Sequence, residues 1–244
     1  MSFAHSIESA VETTLNARVF ARIRADIVRC RLMPNERLRL ETLRERYQAG
    51  ASPIREALMR LEAEGLVQLE QNKGFRVSAV SRESLLDLMR TRIEIEATAL
   101  RWSIEEGGVE WEADLLGAFH RLSRQRKIDP SQPDSISPAW SKAHRVFHAA
   151  LLAACNSPTL LSIRNGLFDR SERYVALSIV SKATPRNDVA EHDQIMRAAL
   201  ERDVTRTLKL NRAHIERTTE KVAQSLAASG IVAKLRAANG KAPK

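Results

Sequence analysis

The feature that most constrains this chain is a change of period at Gly65. Before it, apolar residues recur at helical spacing: Val19, Ile23 and Ile27, then Leu40, Leu43 and Tyr47, then Ile54, Ala57, Leu58 and Leu61. Each set marks one buried helix face. After it, Val67 and Leu69 alternate with polar residues, Gln71 to Gly74 has turn chemistry, and Phe75 and Val77 alternate again, which is the period of a β-hairpin. From Ser81 onward only helical periods return. Three helices followed by a hairpin is the winged helix-turn-helix order. The expected fold class is therefore mainly α: a winged helix-turn-helix of three helices plus a β-hairpin, then an all-α antiparallel helical bundle.

Local signals place the boundaries. The first helix is expected to stop near Met33 and Pro34, because proline disfavours the helical conformation in the residue before it. Pro53 suits the first position of the third helix. In the second half the periods predict helices over 83–106, ended by Gly107 and Gly108, then 110–126, 139–155, 159–181, 188–201 and 204–227. The proline-rich run DPSQPDSISP at 129–138 is expected to be a loop, and Asp188 followed by Glu191 resembles a capping box. The chain thus divides into a flexible arm at 1–14, a winged domain at 15–80, a helical domain at 81–228 and a basic flexible tail at 229–244.

Composition narrows the function classes. Aromatics make up only 5% of the 244 residues, which argues against a β-sandwich or a carbohydrate-binding surface. The longest apolar runs, such as Ala149 to Cys155, fall short of the roughly 20 residues that a membrane span needs. The N-terminus lacks a signal-peptide pattern, so no membrane partner and a cytoplasmic location are expected. Cys30 and Cys155 lie far apart without CxxC spacing, which gives neither a disulfide framework nor a thiolate zinc site; each reads as a small buried apolar residue. The net charge of +9 is concentrated in residues 15–80, with 13 Lys/Arg against 8 Asp/Glu. A basic surplus over a helix-turn-helix pattern fits polyanion binding.

Four of the six histidines fall on inward helical stripes. His144 and His148 are one turn apart, with Phe147, Leu151 and Cys155 on about the same side; His192 shares a stripe with Ile195, Met196 and Ala199; His214 follows Leu210 by four residues. Two readings stand side by side. Each ring is a core histidine bonded to a carbonyl, or the four form a nitrogen cage for a first-row divalent metal. Arg92 lies on the inward stripe of the first helix of the bundle, four residues before Glu96. It either pairs within the helix or forks onto a ligand carboxylate.

The stretch ASPIREALMRLEAEGLVQLEQNKGFRV, through its segments IREAL, RLEAEGLV and NKGFRV, resembles the DNA-binding domain of the GntR family of regulators over about residues 15–80. The resemblance implies that the third helix enters the major groove with Ser52 and Arg55 at its leading end. It implies phosphate partners in Arg37, Arg39 and Arg44, and wing contacts from Lys73 and Arg76. Ala51 stands where most members carry an arginine. The segments HRVFHAALLAAC, EHDQIMRAALERD and NRAHIERT resemble the FadR-type (FCD) effector domain over about residues 82–225. In many such domains an aspartate and three histidines hold a divalent ion. The resemblance places His148, His192 and His214 on the histidine positions and His144 on the aspartate position. Exchanging an anionic oxygen for a neutral nitrogen favours zinc or nickel over manganese.

The reading is a sequence-specific regulator, a repressor by family habit, that binds a palindromic operator as a homodimer and answers to a small-molecule effector of the organic-acid class through Arg92 and the metal. No organic cofactor is expected. The competing readings are a metal-dependent hydrolase, for which neither an HExxH motif nor a carboxylate pair is present near the histidines, and an architectural DNA-binding dimer without an effector.

Overall fold

Val19, Ile23 and Ile27 line one face of the first helix, α1 (Leu15–Val28), and each is at most 1% exposed. In this computed structural model residues 15–129, 131–180 and 188–230 are described; the expected arm at 1–14 and the tail beyond 230 lie outside them. Helix α1 ends at Val28 rather than near Met33, because Cys30 turns left-handed (φ 55°) and the amides of Arg31 and Leu32 both close on the Asp26 carbonyl. That turn tucks Leu32, 2% exposed, into the core.

Helix α2 (Leu40–Tyr47) and helix α3 (Ala51–Ala63) follow. Pro53 is the third residue of α3, not the first, and its missing N–H costs nothing within the first turn. The side chain of Asp26 joins α1 to α2. It accepts from the Tyr47 hydroxyl at 2.7 Å, from Arg46 at 2.9 Å and from Arg31 at 3.3 Å. Burial, then the bond to Asp26, pushes the Tyr47 phenol well above its ordinary range.

The hairpin is present, with one strand more than expected. Strand β1 (Arg37–Leu38) pairs with β3 (Gly74–Val77), which pairs in turn with β2 (Val67–Glu70), all antiparallel in the order β1-β3-β2. The turn between β2 and β3 needs Asn72 (φ 59°) and Gly74 (φ 79°) in the left-handed region, which glycine and asparagine tolerate best. Ile54, Leu58, Leu61, Leu66 and Val77, all fully buried, close the core of this unit.

The chain divides into two compact units at Ala79 and Val80. The second opens with α4 (Arg82–Glu106), capped by Ser81, whose hydroxyl accepts from the Ser84 amide. Helices α5 (Val109–Ser123), α6 (Pro138–Ala150), α7 (Pro158–Val180), α8 (Val189–Leu200) and α9 (Val204–Ser229) complete the bundle. Helix α4 packs on α7 and α9, α5 on α6 and α8, and α8 on α9. The shared core includes Leu100, Leu115, Trp140, Phe147, Ile195 and Met196.

Three local expectations are corrected. The span 139–155 is not one helix: α6 stops at Ala150 and a 3-10 turn, Ala153–Cys155, follows. The Ala150 carbonyl accepts from Trp111 Nε1 at 2.8 Å, and the Ala154 amide donates to the Ser103 hydroxyl at 3.1 Å, so distant groups satisfy the broken backbone. The proline-rich run pairs as a ribbon, β4 (Ile128–Asp129) against β5 (Gln132–Ile136), rather than forming a plain loop. Asp188 stands at the N-cap of α8 but makes no capping bond with its side chain, because Lys127 takes the carboxylate at 2.9 Å.

Candidate functional site

Helix α6 exposes to the core a stripe of Trp140, His144, Phe147 and His148, spaced four, three and one residues apart, and all four are buried. Helix α8 contributes His192, 0% exposed, beside Ile195 and Met196, and α9 contributes His214, 6% exposed. The three helices bring four imidazoles to one point. Nε2 of His144 and Nε2 of His148 are 3.1 Å apart, and ligand-capable atoms of all four rings lie within 4.8 Å of one another. Ring centroids are 4.7 Å apart for His192 and His214 and 5.1 Å for His148 and His192. Trp140 and Phe168 flank the cluster.

Burial holds the His148 imidazole well below its ordinary pKa, and the neighbouring rings of His144, His192 and His214 add to the effect. A neutral ring keeps its lone pair available. At 3.1 Å, Nε2 of His144 and Nε2 of His148 share one hydrogen bond when one ring is protonated there, and offer two lone pairs to a common point when both protons lie on Nδ1. The donor set therefore fits a first-row divalent ion, with a preference for those that favour nitrogen over oxygen.

Contrary to the expectation that no carboxylate pair lies near the histidines, carboxylates surround the rings, because the fold brings Glu172 of α7 and Asp188 and Glu191 at the start of α8 to them. Glu191 Oε2 lies 3.0 Å from His214 Nδ1, Glu172 Oε2 3.8 Å from His144 Nδ1, and Asp188 Oδ1 4.0 Å from His192 Nδ1. Burial would raise the Glu172 and Asp188 carboxyls, but His144, Arg92 and Arg145 hold Glu172 down, and Lys127 holds Asp188 down. A small pocket opens beside the cluster, with Met89, Arg92, Lys127, Trp140, Glu172 and Asp188 among its walls.

Arg92, 6% exposed, makes the pair within its own helix. Its Nε donates to Glu96 at 2.8 Å, and it also lines that pocket. Nη1 donates to the Ser171 hydroxyl at 2.9 Å. Glu96 is a hub between helices: Arg164 of α7 donates to it at 3.1 Å and Asn211 of α9 at 3.3 Å. Burial alone would raise this carboxyl, yet Arg92 and Arg164 bring it down to about 2. Burial lowers Arg164 to about 10 against the pull of Glu96.

In the first unit, Arg37, Arg39, Arg44, Ser52, Arg55 and Lys73 are all exposed. Among the described residues none of these five cations donates a side-chain hydrogen bond or closes an ion pair. Ser52 and Arg55 lie in the first two turns of α3, next to the exposed Ala51. Arg76 differs. Its guanidinium is bound by Glu70 at 2.7 Å and by the Asn35 carbonyl at 2.6 Å, so it ties the wing to the segment before β1. Sequence reasoning did not find Glu172, Lys127 or Arg164. Trp140 was within reach, four residues before His144 on the same stripe.

Residues 15–77 match the family described as bacterial regulatory proteins, gntR family, and residues 87–217 match the FCD domain. The chain is 37% identical to the HTH-type transcriptional regulator BphR of Paraburkholderia xenovorans, over 90% of its own length and 87% of the relative's. It is 36% identical to the HTH-type transcriptional repressor GlaR of Escherichia coli, over 79% and 89%. Among solved structures, Escherichia coli McbR/YncC superposes with a TM-score of 0.73 at 20% identity, over 86% of this chain and 98% of that one. A GntR regulator from Rhodococcus gives 0.66 at 18%, over 87% and 98%; both likenesses speak to fold alone.

Proposed function

The chain belongs to the gntR family of transcription regulators and carries an FCD effector-binding domain, and from that premise we propose a repressor whose hold on operator DNA is set by an organic acid and a divalent metal. The families and relatives matched are regulators of transcription and not enzymes. No described helix is long and apolar enough to cross a membrane.

The observation that carries the proposal is the convergence of four buried imidazoles beside a pocket walled by Arg92 and Lys127. His144, His148, His192 and His214 hold the ion, zinc or nickel by their nitrogen donors. A bound ion supplies a Lewis-acidic anchor for a carboxylate oxygen. Arg92 and Lys127 line the same pocket, each paired with a carboxylate, Glu96 and Asp188, with which an acid bearing a second anionic or polar group would share or exchange the cation. A homodimer presents two winged units to a palindromic operator. Arg55 and Ser52 face base edges, Arg37, Arg39, Arg44 and Lys73 face the phosphates, and Arg76 shapes the wing beside the minor groove. Repression is the reading favoured by the likeness to GlaR, whose name records that role.

Two measurements test this. Elemental analysis of protein purified without chelators or added metal is expected to find about one zinc or nickel per chain, lost in a His148→Ala, His192→Ala double variant. Operator binding is expected to weaken when small organic acids are added to the metal-loaded protein. Operator affinity indifferent to every acid and metal tried would instead favour an architectural dimer.

A further inference from the structure

Whether the four imidazoles act together depends on where their ring protons sit, and that is set from outside the cluster. His144 and His148 face each other through Nε2 at 3.1 Å. Two rings can both offer Nε2 lone pairs to one ion only when their protons lie on Nδ1. At three of the four rings a carboxylate stands on the Nδ1 side: Glu191 within hydrogen-bond distance of His214 at 3.0 Å, and Glu172 and Asp188 farther off, 3.8 Å from His144 and 4.0 Å from His192, as charges rather than direct hydrogen-bond partners. Glu172 comes from α7, Asp188 from the cap of α8 and Glu191 from its first turn. Asp188 and Glu191 share one segment, with Asp188 one turn before His192 on the same helix, while Glu172 reaches the cluster from a second helix.

We infer that Glu191 is a positioning residue, which holds the proton of His214 on Nδ1 so that its inner nitrogen points at the ion, and that Glu172 and Asp188 act as negative charges on the Nδ1 side of His144 and His192, which favour the same ring orientation. This rests on the reading that the cluster binds a divalent metal. The arrangement also answers a charge problem. With histidine at 144 no anionic group stands among the four inner donors, and a dication in a buried all-nitrogen site is costly without nearby negative charge. Three carboxylates one ring further out provide it, and at His214 the hydrogen bond from Nδ1 to Glu191 makes the opposite nitrogen a stronger donor. Two of the three are themselves held. Lys127 fixes Asp188 at 2.9 Å and Arg217 fixes Glu191 at 3.2 Å.

The test uses the full chain, stripped of metal and titrated with zinc against a chromophoric chelator. Glu191→Gln, Glu172→Gln and Asp188→Asn are each expected to bind zinc ~10–100-fold more weakly, with cobalt absorption bands shifted from the parent's. Asp193→Asn, a half-buried carboxylate on the helix of Glu191, paired with Arg197, serves as the control and should match the parent. In the metal-free parent, long-range proton–nitrogen spectra should place the His214 proton on Nδ1, a readout that needs no variant to fold. A parent that binds zinc while all three variants stay within about threefold of it overturns the positioning role alone, as does a His214 proton found on Nε2. A parent that binds no divalent ion overturns the metal reading and this inference with it.

Discussion

Trp140 lies flat against His144, with ring centroids 4.4 Å apart and planes 17° from parallel. Lys127 Nζ sits 4.5 Å from the centroid of the same indole. One aromatic ring thus touches both the candidate metal cluster and a cation of the adjoining pocket, and it is a built-in optical reporter for both.

Nickel or copper added to the metal-free protein should therefore quench tryptophan emission, and Trp140→Phe should remove most of the effect although Trp102 and Trp111 remain. Steady-state fluorescence decides it. Quenching of equal depth in the variant would place the ion away from His144.

The Glu96 hub predicts an acid-sensitive bundle. Its carboxyl is lowered from an ordinary 4.5 to about 2, so its contribution is complete above the unfolded value and is lost as pH falls from 4.5 through about 2. Glu96→Ala leaves Arg92 and Arg164 buried without their partner, a loss of ~3–5 kcal/mol. Denaturant unfolding at pH 7 and at pH 3 should show the gap between parent and variant narrowing in acid.

At the winged unit, Arg55 and Arg76 should separate cleanly. Arg55→Ala is expected to weaken operator binding ~10–100-fold and to relax base preference at one position, with no change in unfolding. Arg76→Ala, which releases Glu70 and the Asn35 carbonyl, should cost about 1 kcal/mol of stability. Fluorescence anisotropy on operator duplexes, paired with thermal melts, measures both.

Asp26 offers a graded comparison. Tyr47→Phe removes one of its bonds and should cost about 1 kcal/mol, whereas Asp26→Ala strands the Tyr47 hydroxyl and two guanidinium partners and should cost ~2–3 kcal/mol. Urea midpoints for the two variants should fall in that order.

What the sequence made legible was periodic. The faces of α1 to α3, the alternation of the wing and the inward histidines all repeat at a spacing that one stretch of chain displays by itself. What stayed hidden depends on partners far along the chain. Strand β1 has two residues and so no period to detect. The break after Ala150 has its backbone groups satisfied by Trp111 and Ser103, about 40 and 50 residues away. The capping pattern at Asp188 was locally sound, but Lys127 claims the carboxylate from 61 positions earlier. Arg92 and Glu96 are visible as neighbours one turn apart, while Arg164, 68 residues beyond Glu96, is not.

Glu96 also indexes the bundle. Its two oxygens are shared between Arg164 of α7 and Asn211 of α9, and His214 lies three residues beyond Asn211 on that same helix. Sliding α9 along its axis would strip the carboxylate of Asn211 before any replacement arrived. A displacement of His214 along that helix would therefore also load the contact between Asn211 and the first helix of the bundle.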